Sequence, residues 1–159
     1  MRKIMIPAFL LAFACTLAFA QEEKKEPAPV KGKSAKEYIA DLSSGNETAI
    51  LKAADWLGNE KEKAAAPELE KLVKNDERAK VRMFSVVALG LIGQESSVDA
   101  LNDALLNDRD ADVRYAAVLA ISRIGSTKSI DALKTAKEKE ADPYIKDYIE
   151  KMEAKLKKK

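Results

Sequence analysis

Apolar residues recur every three or four positions along most of the chain after residue 33, which is the spacing of one face of an α-helix. Glycine, proline, asparagine and aspartate interrupt this pattern and divide it into short segments. The pattern predicts an all-α domain over residues 34–159 that is built from pairs of helices. The predicted pairs are residues 34–43 with 46–58, 64–75 with 78–92, 98–107 with 111–124, and 128–140 with 142–157.

The helix pairs are copies of one unit that recurs every 32 residues. The stretch KVRMFSVVALGLIGQESSVDAL at residues 80–101 aligns without a gap to DVRYAAVLAISRIGSTKSIDAL at residues 112–133. Weaker copies follow at the same spacing on both sides. A single helix pair leaves an apolar face uncovered, so such units are stable only when they are stacked. Leu101 is a predicted core residue of this stack.

The predicted helices begin and end at residues that favour helix termini. Gly93 and Gly125 stand where the second helices should end in a left-handed residue. An asparagine or aspartate that precedes a helix accepts hydrogen bonds from the free N–H groups of the first turn. Arg78 breaks this rule, and Asn75 or Asp76 is predicted to cap its helix instead. The four positions that precede the second helices are Asn46, Arg78, Asp110 and Asp142.

The second helices carry the pattern Val-Arg-x-x-x-x-x-Ala-Leu-Gly-x-Ile-Gly at residues 81–93. The same frame at residues 113–125 has Ile121 in place of the leucine and Ser122 in place of the first glycine. This pattern resembles the short HEAT-like repeats of phycobilisome lyases and many other bacterial proteins, and the resemblance covers residues 46–146. It implies a right-handed α-solenoid of about four stacked helix pairs. It does not imply lyase activity, because this scaffold carries many functions.

Residues 1–20 have the composition of a secretory signal peptide. Arg2 and Lys3 form a short positive region, residues 4–19 are almost wholly apolar, and Ala-Phe-Ala at residues 18–20 matches a signal peptidase site. We therefore expect cleavage after Ala20 and a periplasmic or secreted mature protein. The apolar run is short for a transmembrane helix, and polar residues follow it directly.

Cys15 is the only cysteine and leaves a second interpretation open. Ala14 before it and Leu11 further upstream fit a loose form of a lipoprotein signal. In that case the protein is an envelope-anchored structural lipoprotein tethered through Cys15, and only then do we expect a membrane partner. The residues after Cys15 remain apolar, which favours an uninterrupted signal peptide.

Residues 21–33, QEEKKEPAPVKGK, are rich in charge and proline. Such a segment buries too little apolar area to offset the entropy lost on ordering, so it is predicted to be a disordered leader. Without residues 1–20, the 28 basic residues become 26 and equal the 26 acidic ones. Nucleic-acid binding needs a basic face, so we expect no nucleic-acid partner.

The sequence is poor in catalytic chemistry. It has no histidine, and Cys15 leaves with the signal peptide, which removes the commonest metal ligand, general base and thiol nucleophile. We expect neither enzymatic activity nor a cofactor. Asp108, Asp110 and Asp112 alternate, but the glycine and distal glutamate of a calcium loop are missing. These aspartates are predicted to cap helices and to pair with arginines, namely Arg82, Arg109 and Arg114.

Helical-wheel positions predict a partner-binding face on the second helices. When Val81, Ser85 and Ala88 are placed toward the companion helix, the opposite side is apolar in the two middle repeats. An exposed apolar patch of this kind is typical of a binding surface. The alternative is that neighbouring second helices cover these side chains. The predicted partner-binding residues are Met83, Val86, Val87, Tyr115, Val118 and Leu119.

The same wheel makes the corresponding face of the last repeat polar, with Asp147, Glu150 and Lys151 on it. Trp56 falls on the core side and is predicted to serve packing. Together these features favour an exported, non-catalytic protein–protein interaction module, an adaptor or assembly factor. It is expected to bind a protein or peptide on a concave surface lined by the second helices.

Overall fold

The structure, a computed structural model, describes residues 32–158. Within these residues the chain forms eight α-helices in four consecutive pairs, which confirms the predicted all-α solenoid. The predicted signal peptide, a lipid on Cys15 and nearly all of the predicted leader lie outside the described residues. The helices are α1 Ala35–Asp41, α2 Glu47–Asn59, α3 Ala66–Asn75, α4 Ala79–Ile92, α5 Val98–Asn107, α6 Ala111–Ile124, α7 Ile130–Lys139 and α8 Pro143–Leu156.

The helix ends follow the predicted capping residues. The side chain of Asn46 accepts a hydrogen bond from the N–H of Ala49, and Asp110 and Asp142 cap α6 and α8 in the same way. Gly93 and Gly125 end α4 and α6 with φ of 74° and 71°, a conformation that glycine adopts without steric cost.

The predicted substitute cap for α4 is wrong. The Asp76 carboxylate accepts from the N–H of Arg78 itself at 2.9 Å and also binds the guanidinium of that residue. It therefore fixes the residue that precedes α4 and does not reach the first turn of the helix. Neither Asn75 nor Arg78 provides a side-chain cap for α4 either.

Short 3-10 turns precede three of the first helices. The predicted helices 64–75 and 128–140 began inside two of these turns, whereas the predicted helix 98–107 agrees with α5. The three turns comprise Lys63–Ala65, Glu95–Ser97 and Thr127–Ser129. Two of the turns hold a buried serine, Ser97 and Ser129, and the hydroxyl of Ser97 donates to Glu70 of the preceding pair at 2.7 Å. These turns therefore bring each new pair against the previous one.

The first helices and the second helices form two layers, with an aliphatic core between them. Leu101 is fully buried in this core, as predicted, and so are its counterparts one repeat before and after, Leu69 and Leu133. Each contributes a large aliphatic side chain at the same place in its unit. The buried apolar residues thus form one continuous cluster along the stack.

Glycine brings the second helices unusually close together. A Cβ added to Gly90 in α4 would lie 2.7 Å from the Cβ of Ala120 in α6 and 2.8 Å from its Cα. Gly58 in α2 faces Ala88 in the same manner, at 3.0 Å from its Cα. Ser122 occupies the equivalent position in α6, and α6 packs less closely on α8 than α4 packs on α6.

Two buried ion pairs join consecutive repeats. The guanidinium of Arg82 in α4 donates to both carboxylate oxygens of Asp108 at 2.8 and 2.9 Å. Arg114 in α6 donates to both oxygens of Glu140 at 2.8 and 2.9 Å. Each acidic residue follows the first helix of the next pair, so each arginine clamps one repeat to the next. The position one repeat before Arg82 is Ile50, which leaves the first pair without this clamp.

The clamps lower the pKa of their carboxyl groups. Burial raises the pKa of Asp108, but hydrogen bonds from Arg82 and from the N–H of Asp110 outweigh it, so this pKa lies below its usual value. The hydrogen bond from Arg114 lowers the pKa of Glu140 against a smaller effect of burial. Such groups stabilise the fold above the unfolded-state pKa of about 4, and this contribution is lost as the pH falls through the folded-state pKa.

Gly90→Ala is expected to lower the free energy of unfolding by about 1–3 kcal/mol, because α4 and α6 must separate to admit the new methyl group. The loss should appear although alanine favours a helix more than glycine does. Gly58→Ala is the matched control and should cost less, since its closest contact is longer. Urea unfolding of both variants measures the difference. A Gly90→Ala protein as stable as the wild type would show that the two helices are free to move apart.

Asp108→Asn is expected to lower the free energy of unfolding at neutral pH by about 3 kcal/mol, because Arg82 then remains buried without a counter-charge. It should also weaken the loss of stability between about pH 5 and pH 2, since one carboxyl with a lowered pKa is gone. Urea unfolding over this pH range measures both effects. Asp131→Asn, at a highly exposed position on α7, is the control and should change neither. An unchanged pH dependence in Asp108→Asn would contradict the assignment.

Candidate functional site

The exposed side of the second helices holds four of the six residues that the sequence predicted for partner binding. Val87 in α4 is 44% exposed and Leu119 in α6 is 38% exposed. Met83 and Tyr115 lie one turn before them in the same helices and are half-buried. We call these four residues the apolar strip. Because Val87 and Leu119 occupy equivalent positions in adjacent repeats, the strip crosses from α4 to α6.

The other two predicted residues, Val86 and Val118, are fully buried, so the prediction that they lie on an outward face is wrong. The helical wheel treated each second helix as covered on one side by its companion helix. A helix in the middle of the stack is also covered by a second helix on each flank. Because α4 and α6 touch at Gly90, no gap remains between these helices through which Val86 and Val118 could reach solvent.

A small apolar depression lies at the α2 end of the strip. It has a volume of about 80 Å³ and is bordered by Ala54 and Asp55 of α2 and by Met83, Val87 and Leu91 of α4. Its lining is almost entirely carbon, with the exposed Asp55 at its edge. The depression has the dimensions of one aliphatic side chain, so it suits a single apolar anchor from a partner.

Three tyrosines meet at the other end of the strip, between α6 and α8. The ring of Tyr115 lies 5.7 Å from that of Tyr144, with an angle of 47° between the ring planes. It lies 5.5 Å from the ring of Tyr148, edge to face at 66°. Tyr144 is 67% exposed. We call these residues the tyrosine cluster.

The tyrosine cluster has its own polar contacts. A hydrogen bond with the Tyr144 hydroxyl raises the pKa of Tyr115 above the usual value for a phenol, and burial adds to this effect. The Tyr115 phenol is therefore held in its protonated, hydrogen-bonding form. The cluster thus combines apolar ring surface with polar edges, as residues at protein interfaces often do.

Tyr144 and Tyr148 were not predicted from the sequence, because they do not stand at the repeat positions of Met83 and Val87. In α8 the positions equivalent to Met83 and Val87 hold Asp147 and Lys151. These two residues form an ion pair at 2.6 Å, so the polar character predicted for this face of α8 is correct. The two tyrosines stand at other repeat positions of the same helix. Their spacing of four residues on one helix was the available signal for a shared face.

Polar clefts on the loop edge of the stack are larger but have an internal explanation. A cleft of about 470 Å³ is bordered by Asp76, Arg82, Asp103 and Asp108 among others. Arg82 and Asp108 are bound to each other, and Asp103 accepts a hydrogen bond from Asn107 at 2.7 Å. Asp108 thus pairs with an arginine and Asp110 caps α6, as the sequence predicted. Within residues 32–158 no group of acidic side chains is arranged to hold a metal ion.

The first pair of helices has an aromatic contact that serves packing. Tyr38 of α1 stacks on Trp56 of α2 with ring centroids 4.3 Å apart and an angle of 17°. Both rings are half-buried against the core, so Trp56 has the packing role that its position predicted. No helix in the described part of the chain is both long enough and apolar enough to cross a membrane.

Comparisons with known proteins agree with the stacked pairs. A family model for HEAT repeats matches residues 36–112 and residues 67–152. The fold is similar to a chain in the complex of CpcE and CpcF of phycocyanin lyase from Nostoc, with a TM-score of 0.55 and 19% sequence identity. That match covers 86% of this chain and 70% of the other. No protein of curated function matches the sequence significantly. The family match extends over most of the chain, and the protein therefore belongs to the HEAT repeat family.

Proposed function

We propose that this protein is an exported, non-catalytic adaptor or assembly factor that binds a partner protein on its second helices. The observation that carries the proposal is the distribution of exposed apolar residues. Within residues 32–158 the large apolar side chains that are exposed are Val87, Leu119 and Tyr144, and all three belong to second helices. The large apolar residues of the first helices are buried or partly buried, and none is as exposed as these three.

The arrangement of the strip supports binding by a rigid surface. Its backbone is held by the contact of Gly90 with Ala120 below it and by the arginine clamps at the helix starts. A partner therefore meets side chains on a scaffold that is already ordered, which lowers the entropy lost on binding. The second helices α2, α4 and α6 pack on one another more closely than the first helices do. In a curved stack the more closely spaced layer is the concave one, which supports a concave binding surface on the second helices.

A binding role without catalysis is supported by the residues available. The 159 residues include no histidine and a single cysteine, which lies in the predicted signal peptide. In the cleft of about 470 Å³, Arg82 is paired with Asp108, and Asp76 is paired with Arg78. Binding through an apolar strip needs none of the missing chemistry, and apolar anchors are what dominates the energy of many interfaces.

The double substitution Val87→Glu with Leu119→Glu is expected to leave the melting temperature almost unchanged, because both side chains already contact water. It should remove partner binding, since two charges would be placed in a contact that excludes water. Co-purification from the native host measures this loss. In the otherwise unchanged protein, a photo-crosslinking residue at position 87 should give a covalent adduct with the partner.

The matched control places the same photo-crosslinking residue at position 134, an exposed site on the first helix α7. This protein should give no adduct. Equal adducts from positions 87 and 134, or an adduct at 87 that survives Leu119→Glu, would show that the partner does not use the strip. Unfolding of the Val87→Glu, Leu119→Glu protein would show instead that these side chains serve packing.

Mass spectrometry of the protein purified from its native host is expected to show Gln21 as the N-terminal residue. This follows from the small-x-small site at residues 18–20. An acylated Cys15 at the N-terminus would contradict cleavage after Ala20 and would support the tethered lipoprotein. A chain that retains Met1 would contradict export altogether.

A further inference from the structure

The outward side of the four second helices carries a row of side chains that is complementary to itself. One position recurs every 32 residues on this side, and it holds Asp55 in α2, Val87 in α4, Leu119 in α6 and Lys151 in α8. All four side chains are exposed. The row therefore runs from a carboxylate, across two aliphatic side chains of the apolar strip, to an ammonium group.

A two-fold axis matches this row to the same row of a second copy. The axis is parallel to the second helices and lies between α4 and α6. It places α2 of one copy against α8 of the other and α4 against α6, with equivalent positions at the same height. Asp55 then meets Lys151 of the second copy. Val87 meets Leu119 in the same way, so the two apolar strips cover each other.

A second row has the same symmetry. Two turns before Val87 and Leu119, at the starts of α4 and α6, lie Lys80 and Asp112. The same axis places Lys80 of each copy against Asp112 of the other. Both side chains are exposed, and neither forms a hydrogen bond or ion pair with another described residue. The unpaired charges of this row are thus as complementary as those at the ends of the first.

The end charges are engaged only weakly within their own chain. Lys151 pairs with Asp147 at 2.6 Å, and both side chains are well exposed. Ion pairs of this kind contribute little in water. Asp55 accepts a hydrogen bond from Asn59 at 3.3 Å, and that donor is neutral. Both charges therefore remain available to a second copy, and a contact that excludes water strengthens their attraction.

The layer of second helices is large enough for a stable dimer. Each of these helices has 13 or 14 residues and is therefore about 20 Å long, and neighbouring helices lie about 10 Å apart. Four of them present a face of about 800 Å², which is the area that each partner buries in a typical stable complex. Each repeat is rotated only slightly on the one before, so the concave side of four repeats is shallow.

We propose that the apolar strip is the interface of a symmetric dimer and that its occupant is a second copy of this chain. The interface has an apolar centre and charged ends, which is the usual anatomy of a protein–protein contact. Asp55 and Lys151 form its two outer ion pairs, and Lys80 and Asp112 form two more. This inference rests on the proposed function, because it names the protein that binds the second helices.

The test is sedimentation of the mature protein over a range of concentrations, in which the wild type should dimerise. Asp55→Lys and Lys151→Glu should each weaken dimerisation about tenfold or more, because each brings two pairs of like charges together. The protein with both substitutions should regain the dimer, and so should an equimolar mixture of the two single variants. Lys134→Glu, at an exposed position on α7, is the matched control and should dimerise like the wild type.

Cysteine crosslinking tests the orientation of the two copies. In a mixture of Val87→Cys and Leu119→Cys proteins the new thiols face each other, so mild oxidation should give disulfide-linked dimers. Val87→Cys alone should give far fewer, because its two thiols are separated by the spacing of neighbouring helices, about 10 Å. Circular dichroism should show that the variants stay folded, since every substituted position is exposed.

Three results would overturn the inference. They are a wild type that remains monomeric at all concentrations, a dimer that both charge reversals leave intact, and a double variant that does not regain the dimer. The adduct at position 87 separates the inference from the proposed function. An adduct with the mass of two copies of the chain supports both. An adduct with a different protein, together with a monomeric wild type, overturns the inference and leaves the proposed function standing. A monomeric wild type that gives no adduct contradicts both.

Discussion

The contact of Gly90 with Ala120 is the constraint on which the rest of the structure depends. With no side chain at position 90, α4 and α6 approach until the backbone of one meets the methyl group of the other. This spacing buries Val86 and Val118 in the seams between second helices. What remains exposed is a narrow strip along the tops of the helices, and the candidate binding surface is confined to it.

The arginine clamps secure the same stack at its loop edge. A bidentate pair between a guanidinium and a carboxylate fixes direction as well as distance, so Arg82 and Arg114 set the register of each repeat on the next. Their desolvation cost means that they contribute more to specificity of stacking than to net stability. The first pair lacks such a clamp, because Ile50 occupies the arginine position; apart from apolar contact, it is joined to the second pair by a hydrogen bond from Arg78 to the backbone oxygen of Gly45 at 3.1 Å.

The tyrosine cluster lies where the repeat departs from its own pattern. The regular positions supply the core, most of the caps and the two clamps. Ser122 in place of glycine loosens the contact of α6 with α8, and Tyr115, Tyr144 and Tyr148 occupy the space. A scaffold made of copies thus carries a distinct aromatic cluster at one end, where a few residues differ from the repeat pattern.

The sequence by itself determined the helices, their caps at Asn46, Asp110 and Asp142, the 32-residue unit and the core position of Leu101. These depend on interactions between residues close in the chain, or on a periodicity that repeats unchanged. Only the tertiary structure decided that Val86 is buried while Val87 is exposed, and that three tyrosines from two helices meet. Both outcomes depend on the distance between neighbouring helices. Backbone contacts between residues about 30 positions apart set that distance, and no local pattern records it.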